Sequence, residues 1–358
     1  MDYTRLIPSI ETIPANAWLF WLLGILSFMI HIILVNSVLG GSLILLFSRL
    51  RQAGNDAGHG HSPLAGTIPV FIALAINFGV VPLLFIQVIY GHLYYTSSVL
   101  MAVFKISIIP LLIIAYYCSY IHKAKVSFRT VAVAALAALI IILLYIGFIF
   151  INNLNLMVHP EKWEHYFDSR GGTYIVLSEV ILYARFLHFI FASIAVGGLT
   201  LALVSTFRER RGIPDAGAAV TQGMRIFAAG STAQIAAGVW YLFSQQSVVI
   251  TALLGGDVVF TMVFLAGICS ALAAIIFSLK INIKFTVAFF LLTMLCMCFT
   301  RANVRLIETQ SYFSLKEINV VPQYDLLALF IVFAGAAGAA IFYMLRKAAS
   351  SNAGGGEA

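Results

Sequence analysis

Nine long runs of apolar residues constrain the fold of this chain more than any other feature. They lie at roughly 17–48, 67–95, 99–121, 130–152, 174–207, 225–245, 249–279, 285–303 and 324–345. A helix needs about 20 apolar residues to cross a hydrocarbon core, and each run approaches or exceeds that length. Hydrophobic residues make up 61% of the chain and charged residues 10%, against roughly half and a quarter in soluble proteins. Because backbone polar groups in lipid must be satisfied internally, the runs predict an all-α integral membrane protein with nine transmembrane helices.

The basic residues predict the orientation of these helices. Alternate loops carry Arg49, Arg51, Lys123, Lys125, Arg129, Arg208, Arg210, Arg211, Lys280, Lys284, Arg346 and Lys347. The opposite loops carry Arg5, Lys162, Arg170 and Lys316, with Arg301 and Arg305 at a helix end. The positive-inside rule therefore predicts an outside amino terminus and a cytoplasmic carboxy terminus. In a bacterial inner membrane, the location we expect, the amino terminus would be periplasmic. With this distribution the net charge of +7 indicates lipid contact, and no nucleic-acid partner is expected.

Two of the apolar runs carry the same pattern around a histidine. The first reads His31-IILVNSVL-Gly40-Gly41 and the second His188-FIFASIAV-Gly197-Gly198, and Arg51 and Arg208 follow at matching offsets. An ionisable side chain at membrane depth is costly and is a functional candidate by default. Imidazoles beside small residues are typical of haem sites. No Cys-x-x-Cys-His motif is present, so a haem here would be non-covalent and b-type.

The repeat predicts how the chain is organised. We expect two tandem four-helix units plus a ninth helix, because the helix after each histidine run carries a glycine and a glutamine, Gly79 with Gln87 and Gly230 with Gln234. Duplication of this kind often places cofactors at matching depths. The predicted divisions are a first unit at 1–152, a periplasmic linker at 153–173, a second unit at 174–303, a periplasmic loop and ninth helix at 304–346, and a disordered tail at 347–358.

Three stretches resemble subunit I of the cytochrome bd quinol oxidase superfamily. They are Ile151-NNLNLMVHP followed by Tyr183-ARFLHFIFASIAVGGLTLALVSTFRERRG, then Asn77-FGVVPLLFIQVIYGHLYY, and Val258-VFTMVFLAGICSALAAII. The resemblance implies nine spans with an outside amino terminus, haem ligation by His31 and His188, and a methionine ligand at Met262. Helix rise places His188 and Met262 at similar depth if their helices begin near 174 and 249. A histidine and a thioether form a sensible ligand pair for haem b.

The chain also departs from that family at its oxygen site. The family has glutamates in its third helix, whereas SSVLMAVFKISIIPLLIIAYYC carries Lys105 and no carboxylate. The long quinol loop is replaced by Ser244-QQSVV, and the family's Glu-x-x-Arg-Gln-Pro-Trp segment is reduced to Arg301-ANVRLIE. Terminal oxidase activity is therefore not expected.

Further polar residues are candidates for the site. Arg185, one turn before His188, would hold a haem propionate or pair with Glu179. Arg301 and Arg305 lie four residues apart and so share one helix face. They would bind a haem propionate together or anchor the helix at the membrane interface. His92 is a candidate ligand for a separate outer haem or an interfacial histidine among tyrosines, and His122, beside Lys123, is expected to be solvated.

These features predict a b-type cytochrome of the electron-transport chain, with one to three haem b groups and metal binding through haem iron. It would link the quinone pool to a periplasmic c-type cytochrome within a quinol:cytochrome c oxidoreductase-type complex. The partner cytochrome would contain one haem or several. Docking would use the outer aromatics Trp163, Tyr166, Phe167, Tyr312 and Phe313. The alternative is a cofactor-free membrane anchor or scaffold subunit of a respiratory complex, in which both histidines are structural.

Overall fold

The computed structural model describes residues 3–51, 63–124, 129–168 and 170–354. Within this part of the chain, nine helices are long and apolar enough to cross a membrane, as the sequence predicted. They are α1 (Ala17–Arg51), α2 (Ile68–Leu100), α3 (Ala102–Ala124), α4 (Arg129–Met157), α6 (Val180–Glu209), α7 (Ala216–Phe243), α9 (Val258–Leu279), α10 (Ile283–Thr309) and α11 (Tyr324–Gly354). The short helices α5 (His165–Asp168) and α8 (Ser247–Thr251) lie between them. No β-strand occurs in the described residues, which contain one isolated bridge between Ile13 and Val320.

Helices that follow one another in the chain pack together in pairs. The pairs are α1 with α2, α3 with α4, α6 with α7, and α9 with α10, and α1 also packs along α6. This order is what two four-helix units would produce, although the duplication itself stays a prediction. The helix α11 makes no substantial contact with another helix, and its side chains are exposed from Tyr324 to Met344.

The two ends of the bundle differ in their side chains. The Arg129 guanidinium donates to the Arg49 carbonyl at 3.2 Å, so the end of α1 meets the start of α4. We call this end, which also carries His122, the basic end. At the opposite end, the segments 158–168, 170–179 and 310–323 cover the helices, and we call it the linker end. The positive-inside rule predicts that the basic end is cytoplasmic.

The helices α1 and α6 cross with their backbones in contact at the two repeated glycine pairs. A methyl group on Gly40 would overlap the Ser193 carbonyl, and one on Gly197 would lie 2.7 Å from Gly40 Cα. Beside the crossing, Ser193 Oγ donates to Asn36 Oδ1 at 2.9 Å across a sequence separation of 157 residues. The same separation relates Gly40 to Gly197 and His31 to His188. The two histidine helices therefore run parallel and cross at equivalent positions.

The predicted seventh run, 249–279, is interrupted in the structure. The helix α8 passes into a π-helical turn at Ala252–Gly256, and Gly255 adopts a φ of 126°, which is available to glycine at little cost. The Asp257 side chain then accepts a hydrogen bond from the Phe260 N–H at 3.0 Å and caps α9. The long helix therefore begins at Val258 rather than near 249.

The ninth helix is longer than the sequence predicted. It extends to Gly354, through most of the segment expected to be a disordered tail, and residues 355–358 lie outside the described chain.

We expect Gly40→Val to destabilise the protein by about 1–3 kcal/mol or more, because the added side chain must separate α1 from α6. Gly335→Val is the matched control, since a side chain at Gly335 in α11 would meet no atom within 4 Å. Thermal unfolding in detergent measures both variants. Equal unfolding midpoints for the two would show that the close crossing does not hold the bundle together.

Candidate functional site

The two repeated histidines make the same hydrogen bond in both halves of the bundle. His31 Nδ1 lies 3.0 Å from the Ala75 carbonyl oxygen of α2, and His188 Nδ1 lies 3.0 Å from the Gln234 carbonyl oxygen of α7. A carbonyl can only accept, so each Nδ1 carries a proton, and in the neutral form of each ring the lone pair lies on Nε2. Metal-ligating histidines are commonly fixed in this way by their second nitrogen.

A glycine faces each imidazole four residues after the accepting carbonyl. A methyl group on Gly79 would lie 2.7 Å from His31 Cε1, and one on Gly238 would lie 3.2 Å from His188 Cε1. The structure therefore pairs Gly79 with Gly238. The sequence comparison of the halves had paired Gly79 with Gly230, which is wrong, because Gly230 instead meets the Ala195 backbone. Aligning Ala75-INF-Gly79 with Gln234-IAA-Gly238 would have revealed the correct match.

The surroundings of the two rings differ at Nε2. The Gln234 side-chain nitrogen lies 3.3 Å from His188 Nε2, a contact in which the amide donates to the lone pair. The Tyr241 ring lies 6.4 Å from the His188 ring. For His31 the described residues provide no hydrogen bond to Nε2, and the ring is half-buried. The Nε2 atoms of His31 and His188 are thus suited to bind a metal ion or to accept a hydrogen bond. At His188 the Gln234 side chain would have to move away first.

Three arginines lie near one another toward the linker end. Arg185 Nε donates to the Tyr241 hydroxyl at 2.8 Å. Arg301 lies over the Phe28 ring at 4.0 Å, and Arg305 lies over the Tyr90 ring at 5.3 Å. The three cations interact with one another electrostatically, and Arg301 also interacts with His31.

No carboxylate of the described residues forms a salt bridge with these arginines. Glu308 is the acidic side chain that interacts with Arg185 and Arg305 electrostatically. A single carboxylate cannot neutralise three neighbouring guanidinium groups, so this arginine cluster is an attractive environment for an anionic group. A cavity of about 50 Å³ adjoins it between α1, α2 and α10, with Arg301 and Arg305 on its wall.

Arg185 does not pair with Glu179, which was the alternative role for that arginine. The Glu179 carboxylate instead accepts from Lys162 and from Asn155 Nδ2 at 2.8 Å. Burial opposes ionisation of the Glu179 carboxyl, but these two donors outweigh it and hold its pKa below the ordinary value of 4.5. The linker is thereby tied to the start of α6, and Arg185 remains directed into the arginine cluster.

Met262 is not brought to His188 by the structure. Its side chain is 64% exposed, and its helix α9 packs against α7 and α10. The expectation of equal depth assumed a helix starting near 249, whereas α9 starts at Val258. Ligation by Met262 stays a prediction without support from the geometry.

His92 lies under the loop segment that covers the linker end. Its ring is 5.1 Å from the Phe313 ring, and its Nε2 is buried without a hydrogen-bond partner among the described residues. The structure does not join it to His31 or His188, so a separate outer haem at His92 also stays a prediction.

The outer aromatics are mostly packed into the protein. Trp163 and Phe313 are each 2% exposed, Trp163 Nε1 donates to the Leu156 carbonyl at 2.8 Å, and Tyr312 donates to the Val158 carbonyl at 2.8 Å. Phe167 is 57% exposed. The expectation that these aromatics together form a docking surface is therefore wrong for Trp163 and Phe313, which form the core beneath the linker.

Lys105 lies in α3, the helix in which the resembled family has carboxylates. Its ammonium donates to the Tyr94 hydroxyl at 2.5 Å and to Asn153 Oδ1 at 3.2 Å, and it lies over the Phe150 ring at 4.4 Å. This cation is satisfied by neutral groups and aromatic rings, as a structural link between α2, α3 and α4.

Comparison with protein-family models and with curated proteins finds no match. Among the described residues, no group of three or more His, Cys, Asp or Glu side chains could hold a metal ion. The histidines, glycines and arginines described above are therefore the basis on which a function can be proposed.

We expect Glu179→Gln to remove an acid-sensitive part of the stability. Because the folded-state pKa of Glu179 is lowered, its contribution is complete above about pH 4.5 and is lost as the pH falls through the folded pKa. The difference in thermal unfolding midpoint between wild type and variant should be largest near pH 7 and should shrink as the pH falls below about 4.5 and through the lowered folded-state pKa. A partly exposed pair of this kind contributes about 0.2–1 kcal/mol. A constant difference across the pH range would contradict this assignment.

Proposed function

We propose that this chain is a membrane electron-transfer subunit that holds b-type haem at His31 and at His188. The observation that carries the proposal is the repeated arrangement of an anchored Nδ1, a lone pair at Nε2 and a glycine against the ring. A histidine with only a structural role needs a hydrogen bond. It does not need an equivalent carbonyl and an equivalent glycine in each half of the bundle. A haem at each site would supply one-electron chemistry.

In this proposal the protein orients and tunes the cofactor. The Ala75 and Gln234 carbonyls set the tautomer and orientation of the imidazoles and increase their basicity as ligands. The arginine cluster would bind propionate groups, since guanidinium matches carboxylate geometry. Arg301 and Arg305 adjoin the His31 side of the cluster and Arg185 the His188 side, so both sites would share one region of positive charge.

The proposed activity is transfer of electrons between the quinone pool and a periplasmic c-type cytochrome, as part of a quinol:cytochrome c oxidoreductase-type complex. The resemblance to cytochrome bd subunit I supports a quinone-linked role. Oxygen reduction is not part of the proposed activity, because the α3 segment carries no carboxylate where the resembled family has glutamates.

A cofactor-free anchor subunit is the second candidate function. The observation that favours it is α11, whose side chains are exposed along the whole apolar span as in a helix that packs against another subunit. Visible spectroscopy separates the two functions, because an anchor without cofactor has no reduced-minus-oxidised difference spectrum.

The decisive experiment is the spectrum of the purified chain with two paired variants. We expect wild type to show b-type haem bands, and His31→Ala and His188→Ala each to remove a different part of them because each deletes one ligand. Absence of haem from the wild type, or no change in either variant, would refute the proposal.

The glycines provide a finer test of the same site. We expect Gly79→Val to reduce haem occupancy at the His31 site and Gly238→Val at the His188 site, because each side chain would displace the imidazole. Gly91→Val is the control within α2, since a first carbon there would meet only Tyr95 at 3.5 Å. Equal losses in all three variants would indicate general misfolding.

We expect Arg301→Gln to lower the midpoint potential at the His31 site. Loss of a nearby cation favours the oxidised, more positive haem. A unit charge about 10 Å away at an effective dielectric constant of about 20 contributes about 1.7 kcal/mol, equal to about 70 mV for one electron. Potentiometric titration measures the shift. Met262→Leu is the control, because it alters an exposed side chain of α9 and should leave the spectrum and the midpoint potential unchanged. A potential that Arg301→Gln does not move would place the arginine cluster away from the cofactor, and a spectral change in Met262→Leu would restore that methionine as a ligand.

A further inference from the structure

A second group of polar residues lies at the basic end, far from the arginine cluster. It joins the last turns of α1 and α3 to the first turn of α4 through Arg49, His122 and Arg129. The sequence predicted that His122 would be solvated, but its side chain is 1% exposed, and that of Arg49 is 5% exposed. Cations of the positive-inside type ordinarily lie in the headgroup layer, so the burial of Arg49 needs a separate explanation.

Two nitrogen atoms of this group are buried without hydrogen-bond partners among the described residues. They are Arg49 Nη1 and His122 Nε2. His122 Nδ1 lies 3.3 Å from the Ala132 carbonyl oxygen, so Nδ1 carries the proton and Nε2 is an acceptor. Arg49 and His122 also interact electrostatically. The group therefore combines a charged donor at Arg49 with an imidazole that interacts with it electrostatically and accepts at Nε2 in its neutral form.

The charges around these two atoms favour an anion. Arg129 lies close enough to donate to the Arg49 carbonyl at 3.2 Å, which brings a second guanidinium to this group. No carboxylate of the described residues forms a salt bridge with Arg49 or Arg129. A buried guanidinium normally has an anionic partner.

We propose that Arg49, His122 and Arg129 form a binding site for a phosphate-type oxyanion that also carries a hydroxyl group. The oxyanion would accept from Arg49 and Arg129, while the hydroxyl would donate to His122 Nε2. Two sources share this chemistry. One is the phosphate and glycerol of a phosphatidylglycerol headgroup, and the other is free hydrogen phosphate. Sulfate has the oxyanion without the hydroxyl and should bind less well. The site is independent of haem, so its test does not depend on the proposed function.

The experiment measures thermal unfolding of the full-length, delipidated protein in detergent. Separate titrations add phosphatidylglycerol, phosphatidylcholine, inorganic phosphate and sulfate. Stabilisation by phosphatidylglycerol and not by phosphatidylcholine or inorganic phosphate supports a lipid headgroup. Stabilisation by inorganic phosphate in preference to sulfate supports a free anion. If neither phosphatidylglycerol nor phosphate stabilises the wild type more than its comparison compound, the proposal is overturned.

Paired variants locate the effect. We expect Arg49→Gln to raise the half-saturating concentration of the effective ligand about tenfold or more, because a charge-assisted hydrogen bond is lost. Arg51→Gln removes the same charge two residues later, from an exposed side chain that lies over the Phe47 ring at 4.6 Å, and should keep the wild-type response. Equal weakening in both variants would assign the effect to general basic charge and overturn the proposal. Should Arg49→Gln fail to fold, the wild-type titrations and the conservative Arg49→Lys variant, expected to retain binding more weakly, decide the question.

Discussion

The rest of the bundle depends on the close crossing of α1 and α6. Lipid surrounds the apolar faces of both helices as well as a neighbouring helix would, so hydrophobicity gives little reason for them to associate. Direct contact between the two backbones does favour their association, and this contact is possible only because residues 40 and 197 are glycines. Hydrogen bonds from Ser193 to Asn36 and from Thr200 to Ser37 then set the register. With that register set, the two histidines lie at equivalent positions along helices that run parallel.

Each imidazole is positioned by the helix that follows its own rather than by its own helix. The carbonyls of Ala75 and Gln234 accept from Nδ1 although both belong to helical backbone, where a carbonyl has a second lone pair available. The glycine four residues later lies one turn along the same helix face and makes room for the ring. Each imidazole thus gains a partner for Nδ1 without another side chain, while Nε2 of His188 lies 3.3 Å from the Gln234 side-chain nitrogen. The arginine cluster lies near the two imidazoles and adds positive charge that the single carboxylate of Glu308 balances only in part.

Much of the fold could be predicted because hydropathy is a local property. The nine spans, the histidine repeat and the choice of Arg185, Arg301 and Arg305 as candidate residues all follow from residues close together in the chain. The break before α9 was missed because the residues from Val249 to Val258 remain largely apolar, although Gly255-Gly256-Asp257 contains the signal for a turn and a cap. Gly238 was missed because α7 contains several glycines, and the sequence does not show which of them faces His188. That depends on which backbone carbonyl of α7 accepts from the imidazole, and only the structure shows that it is the carbonyl of Gln234.

The sequence by itself determined which segments are helices in the membrane, since about 20 apolar residues in lipid have no other way to satisfy their backbone. It also determined where the costly polar residues are. Tertiary structure alone decided which face of each helix meets protein. Met262 faces outward, Trp163 is covered, and Arg49 and His122 are buried together, although hydropathy treats each of these residues like its neighbours. The physical reason is that lipid and packed protein are similarly apolar, so close steric fit and hydrogen bonds between distant residues, rather than composition, select the contacts.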